Sequence, residues 1–368
     1  MELWKEGIIL SQKKYWAALT RISCLGPIRI MNLINHMGTA EKAWNSSREE
    51  LERVQGITPK LSQVILEEKS AIQVDENWRE IMDKGIKVIT FHEEDYPESL
   101  RYIHAPPALL YIRGESFSPQ EKRIGVVGTR KCTPYGKKIV QEISTALAEQ
   151  GFTVVSGMAL GIDTLAHWST LKAGGRTTAV LGCGLDVMYP RQNQGLAQEI
   201  AKKGTLLSEF PPGTFPLPRN FPMRNRIISG LSSGIVVVEA AEKSGALITA
   251  DCALEQGREV FAVPGNIDSP YSRGCNRLIK EGAVLLQDPM DILMELGYDV
   301  IYESAPQESP HLTSQEKDLY KLIQAQPVHV DSLRDLSGLS AGELNSLLTI
   351  MELKGIIKQL PGKYFVKK

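Results

Sequence analysis

Cysteine is scarce and scattered in this 368-residue chain: Cys24, Cys132, Cys183, Cys252 and Cys275, with no CxxC pair. That speaks against a zinc site and against a disulfide framework. The six histidines form no HExxH, so no metal is expected. No apolar run approaches membrane-spanning length, and the first residues lack a signal-peptide hydrophobic segment, so a cytoplasmic, non-membrane protein is expected. Net charge is missing as well: 42 Lys and Arg against 43 Asp and Glu leave −1. There is neither a GxGxxG fingerprint nor a Walker A loop. What remains is an ordinary globular composition, 42% hydrophobic and 23% charged, long enough for two or three domains.

The charge is unevenly placed. From Arg113 to Leu231 there are 15 Lys and Arg against 8 Asp and Glu, which suggests an anionic partner for the middle of the chain. The same region alternates short β-branched runs, glycine turns and helical periodicity. Strands are expected at Ile124–Val127, Thr153–Ser156, Thr177–Leu181, Thr205–Ser208, Gly234–Val238, Val260–Val263 and Ala283–Leu286. That alternation predicts an α/β fold, a mostly parallel sheet with helices on both faces, binding its ligand at the carboxyl ends of the strands. Ile86–Phe91 and Leu109–Ile112 read as two further strands that extend the sheet.

Three turns at those strand ends suit phosphate, because helix N-termini offer unpaired N–H groups and a positive dipole end. The first holds Gly128, Thr129 and Arg130, the last a permanently charged planar fork. The second runs from Ser156 and Gly157 through Gly161 to Asp163, and the third holds Lys243, Ser244 and Gly245, with Thr249 in the following helix. Each also reads as an ordinary βα turn. A fourth stretch, Arg219–Ser232, carries Phe221, Arg224, Asn225 and Arg226 in a Pro-flanked loop running into a helix placed near Arg224–Leu231. Arg224 and Arg226 stand two apart and cannot share a helix face, so one faces the ligand while the other pairs within the protein. Arginine beside an exposed aromatic suits single-stranded nucleic acid; the alternative is a core Phe221. Asp163 reads as a helix cap, and with His167 four residues on as a structural pair, since no nucleophile elbow accompanies them.

The flanks read as separate modules. Ile22–Leu33 and Leu51–Ile65 each place a glycine turn between helices, resembling paired helix-hairpin-helix (SAM-like) units that offer turn amides to DNA phosphates, or a protein-contact module. After a linker at 299–312, three helical segments and a short hairpin suggest a winged helix. Its recognition-helix candidate, AGELNSLLTIMELKG, is acidic and apolar, which suits protein contact at least as well as base reading. The expected domains are 1–72, 73–298 and 313–368.

The ordered series GVVGTR, SGMALGID, FPMRNRIISGLS, SGALITA, VFAVPG and SRGCNRLI closely resembles the DprA/Smf family of DNA-processing proteins, over nearly the whole chain. The resemblance implies an extended Rossmann-like core and no established catalytic activity or cofactor. It implies single-stranded DNA (ssDNA) binding that protects strands taken up in natural transformation, loading of the RecA recombinase, and a homodimer. Arg130 matches the family's pocket arginine. Ser156–Asp163, Phe221–Ser232, Gly245 and Thr249 match its other pocket-building motifs, and Arg219 stands where a basic residue commonly precedes them. The rival reading is a nucleotide-binding or phosphoribohydrolase-like enzyme. The PGGxGTxxE loop of those enzymes is replaced here by VVVEAAEKSG, in which Glu239 is a candidate acid.

Overall fold

A computed structural model describes residues 12–118, 120–299, 313–323, 327–354 and 356–367. The chain forms two compact units, Met1–Val300 and Ile301–Lys368. The expected linker, from 300 onward, lies outside the described residues.

The first unit is built on nine strands among the described residues: β1 Lys87–Thr90, β2 Leu109–Gly114, β3 Arg123–Val127, β4 Thr153–Ser156, β5 Thr177–Val180, β6 Thr205–Ser208, β7 Gly234–Val237, β8 Glu259–Ala262 and β9 Val284–Leu285. Their order is β1-β2-β6-β5-β4-β3-β7-β8-β9. The seven from β6 to β9 are mutually parallel, and β2 joins β6 antiparallel. Strands covered on both faces should be apolar throughout; β4, β5 and β6 are fully buried yet begin or end in Thr or Ser. Those hydroxyls donate to neighbouring carbonyls: Ser156 to Val126, Thr177 to Val154 and Ser208 to Cys183, at 2.6–2.7 Å. Burial therefore leaves them satisfied.

The N-terminal helices share one apolar core with the sheet, where Trp16, Leu19 and Leu33 join Tyr111 and Leu206. Both hairpins exist as helix-turn-helix pairs, 12–19 with Pro27–Met37 and Arg48–Glu52 with Pro59–Ser70. Arg29 ties them, donating to the carbonyls of Cys24 (2.9 Å) and Gly56 (3.1 Å). In the first turn the Ser23 amide and hydroxyl both donate to the Glu68 carboxylate, at 2.6 and 2.5 Å. An internal carboxylate thus takes donors that the sequence reading offered to a DNA phosphate.

The second unit packs helices Ser314–Leu322, Val330–Ser337 and Ala341–Leu353 on the sheet β10-β12-β11, with β10 Val328–His329, β11 Ile357–Leu360 and β12 Tyr364–Lys367. It is the expected winged helix, with the extra strand β10 that a two-residue segment could not announce by periodicity. Leu319, Leu333, Leu348 and Phe365 form its own core.

The antiparallel seam between β2 and β6 has a steric requirement. Gly114 sits at φ +102°, and a Cβ there would lie 2.4 Å from the Gly204 carbonyl oxygen. The Ala201 carbonyl oxygen would lie 2.9 Å away; both obstacles are backbone, so relief needs the seam to move. Gly114→Ala is expected to destabilise the fold by about 1–3 kcal/mol, read as a lowered urea midpoint with an unchanged slope.

Candidate nucleic-acid interface

Strand succession reverses at β3, which has β4 on one side and β7 on the other. Such a reversal parts the connections and leaves a crevice at the strands' carboxyl ends. A cavity of about 300 Å³ opens there, lined by the Gly128–Arg130 turn, Asp163, the Phe221–Asn225 face of one helix and the Ser244–Thr249 start of another. A smaller cavity of about 60 Å³ shares Arg130, Phe221 and Arg224 and adds Gly157, Gly182 and Tyr189.

Arg224 anchors the arrangement. The helix Asn220–Leu231 carries it onto the sheet, where Nη1 donates to the Gly157 and Val180 carbonyls at the ends of β4 and β5. Nε donates to the Asn225 side chain at 3.1 Å. A Cβ on Gly157 would lie 2.5 Å from the guanidinium, so any larger residue there displaces Arg224 from these carbonyls. Burial pushes the Arg224 pKa down to about 10, against the pull of Asp163, and leaves it charged at neutral pH. Asp163 accepts from the amides of Gly157 and Ala159, each at 3.2 Å. Burial pushes its carboxyl up, opposed by Arg224 and those amides. Asp163 therefore braces the second turn; Gly161 takes the N-cap position expected for it.

The second turn nests against the first. Gly161 (φ +83°) has the Thr129 carbonyl 2.4 Å from where a Cβ would stand, and the Ile162 amide donates to that carbonyl at 3.2 Å. Arg130 is exposed and has no ion-pair partner among the described residues. It lies 5.9 Å from the centre of the Phe221 ring; Arg224 lies 6.0 Å away and Tyr189 5.7 Å. Phe221 is half-buried and lines both cavities. Ser244 caps the helix Gly245–Glu255, whose positive end faces the larger cavity.

Turn amides contribute less than the glycine pattern implied. The Thr129 amide donates to the Glu239 carbonyl (2.7 Å), and Asp163 takes those of Gly157 and Ala159. Anion attraction here rests on arginine side chains and one helix end.

Of the candidate residues, Gly128, Thr129, Arg130, Phe221, Arg224, Asn225, Ser244, Gly245 and Thr249 line the larger cavity and Gly157 the smaller. Ser156 is fully buried beneath them. Lys243 is exposed and lines neither. Arg219 lines a different cavity. Arg226 points away and pairs with Glu209, both largely buried. Tyr189 was not singled out in the sequence, although an aromatic before proline in a strand-end loop is a usable signal.

The candidate acid Glu239 is held by hydrogen bonds, and the expected structural pair of Asp163 and His167 does not form. Glu239 accepts from the amide (2.9 Å) and hydroxyl (2.6 Å) of Thr133. His167 does not pair with Asp163; its Nδ1 bonds the Thr177 hydroxyl at 2.6 Å, and burial pushes its pKa down to about 3.

The DNA recombination-mediator protein A family model matches residues 87–297, and the DprA winged helix domain model matches 303–363. The chain belongs to the DprA/Smf family. Protein Smf of Synechocystis is 33% identical, covering 97% of this chain and 99% of that protein. DNA processing protein DprA of Bacillus subtilis is 47% identical over 58% of this chain and 72% of its own. The X-ray structure of Streptococcus pneumoniae DprA matches with a TM-score of 0.69 at 35% identity, covering 78% of this chain and 98% of that one. A Helicobacter pylori DprA structure, described for its single-stranded DNA binding mode, matches at TM-score 0.52 and 29% identity, covering 58% and 98%. DprA/Smf membership gives this chain a role in DNA processing, as a recombination mediator. Among the described residues no helix is long and apolar enough to cross a membrane.

Two outcomes follow. Arg226→Ala strands a buried carboxylate and is expected to cost about 3 kcal/mol, measured by urea unfolding. His167 is held neutral in the folded state and titrates near its ordinary value of about 6.5 when unfolded. Its contribution is therefore complete above that pH and is lost as pH falls toward about 3. The stability difference between wild type and His167→Gln should shrink by up to about 1.4 kcal/mol per pH unit across that window, measured by unfolding at stepped pH.

Proposed function

We propose that this chain is a non-catalytic ssDNA-binding mediator that protects strands taken up in natural transformation and loads RecA onto them. The observation that carries the reading is Arg130: an exposed, unpaired cation beside a half-buried aromatic at the mouth of a cavity with a buried arginine inside. A strand phosphate meets Arg130 and the positive end of the Gly245–Glu255 helix, while a base rests against Phe221. The Asn225 amide is already bonded to Arg224 and to the Gly245 carbonyl, which leaves charge and an aromatic face as the means of contact, so little sequence preference is expected. The ssDNA-binding mode named for the Helicobacter relative supports the reading. Action as a homodimer through the Rossmann-like core, location in the cytoplasm and the RecA contact are proposed from the family resemblance.

The phosphoribohydrolase-like alternative loses its candidate acid, because both Glu239 carboxylate oxygens accept hydrogen bonds from Thr133.

Fluorescent oligo-dT titrated against wild type and Arg130→Ala across a salt series tests the reading. Wild-type affinity is expected to fall with salt at a log–log slope of about −0.7 per phosphate neutralised. Arg130→Ala should weaken binding about tenfold and flatten the slope by about 0.7. Equal affinity and slope in both proteins would remove Arg130 from the interface.

A further inference from the structure

A larger cavity, about 510 Å³, lies between the first N-terminal hairpin and the segment from Glu209 to Met223. We propose that it is a second nucleotide subsite on the same single strand; the proposal rests on the ssDNA reading of the neighbouring crevice. The helix Asn220–Leu231 divides the two. Phe221, Arg224 and Asn225 face the crevice, whereas Asn220 and Met223 face the cleft. The wall is thin: Asn220 lines the cleft while its Nδ2 donates at 3.2 Å to the carbonyl of Gly182, which lines the smaller cavity beyond. A strand leaving Arg130 and Phe221 needs to pass only the first turn of this helix to enter the cleft.

The cleft's chemistry matches one nucleotide. Leu25, Ile30, Phe210 and Met223 supply apolar walls, and its volume is in the range of small-ligand pockets. Phe215 beside it is 72% exposed, a face on which a following base stacks. Arg219 is exposed at the cleft and has no ion-pair partner among the described residues, so its charge is available to a phosphate. The helix Pro27–Met37 begins at the same cleft with Gly26 at its N-cap and Pro27 first, and among the described residues no side chain caps the amides that follow. The one carboxylate in the lining, Glu209, is already paired with Arg226. Arg21 in turn is held by Asn77 and Glu80, leaving Arg219 as the cation free to meet DNA.

A ladder of fluorescent oligo-dT lengths, titrated against Arg219→Ala, Met223→Trp and Arg130→Ala, tests this. Met223 is 40% exposed on a helix surface, so tryptophan there fills the cleft without entering the core. Both cleft variants should lose about tenfold in affinity for strands long enough to span the two cavities, the loss growing with length from the shortest oligomer that binds. Arg130→Ala should lose affinity at every length. A photo-crosslinking 4-thiothymine placed along the strand should attach to peptides holding Leu25–Ile30 or Leu217–Met223. If Arg130→Ala weakens binding but both cleft variants match wild type at all lengths and no crosslink reaches those peptides, the second subsite is wrong and the crevice reading stands. If wild type binds no oligomer, the crevice reading itself fails. Thermal melts identify a variant that fails to fold; Arg219→Ala and the crosslink then decide without Met223→Trp.

Discussion

A single buried cation holds the crevice together. Arg224 reaches from a helix to the carbonyls that end β4 and β5, and it fixes that helix over the point where the strand order turns. Carbonyl dipoles and the nearby Asp163 compensate the charge that burial disfavours. The contact dictates its surroundings. Residue 157 has to be glycine for the guanidinium to fit, and Asp163 has to sit where it gathers the amides of the same turn. Phe221, three residues earlier on the same face of the helix, is then presented to Arg130.

That economy has a consequence for recognition. Backbone amides that a glycine-rich loop gives to phosphate in other α/β folds are spent here on holding turns together, at Thr129, Gly157 and Ala159. The attraction for an anion shifts to side chains, and side chains at a rim tolerate a moving, irregular strand better than a rigid amide cradle does. A protein that grips nucleic acid through arginine and aromatic faces reads the backbone and the π-surface common to all bases. The neutral total charge hides a local excess of cations from Arg113 to Leu231, the part of the chain that supplies Arg130 and Arg224 to the crevice.

Much of this was legible in the chain itself. The parallel strands fell almost where their β-branched runs stood; β6, Thr205–Ser208, matches residue for residue. The rule that Arg224 and Arg226 cannot share a face holds: Arg226 turns inward to Glu209, while Arg224 lines the cavity with its guanidinium on backbone carbonyls. Polar residues were harder. His167 and Asp163 are four apart on one helix, yet their partners, Thr177 and the second turn's amides, come from other elements that periodicity does not encode. Ser23 likewise meets Glu68, 45 positions on, so its amide and hydroxyl looked open in the sequence and are not.

The costliest misreading was a helix start. The sequence placed it near Arg224 because Pro216, Pro218 and Pro222 surround Phe221, and proline usually marks a loop. In the fold the helix begins at Asn220, with Pro222 in its first turn, where an amide would have lacked a partner in any case. With the start at 224, Arg219 through Met223 look like one flexible basic loop facing one site. With the start at 220, the helix turns Asn220 and Met223 to one cavity and Phe221, Arg224 and Asn225 to the other, the two sets meeting where Asn220 and Arg224 adjoin. A four-residue shift in a helix boundary thus turns one apparent basic loop into a helix with a cavity on either side.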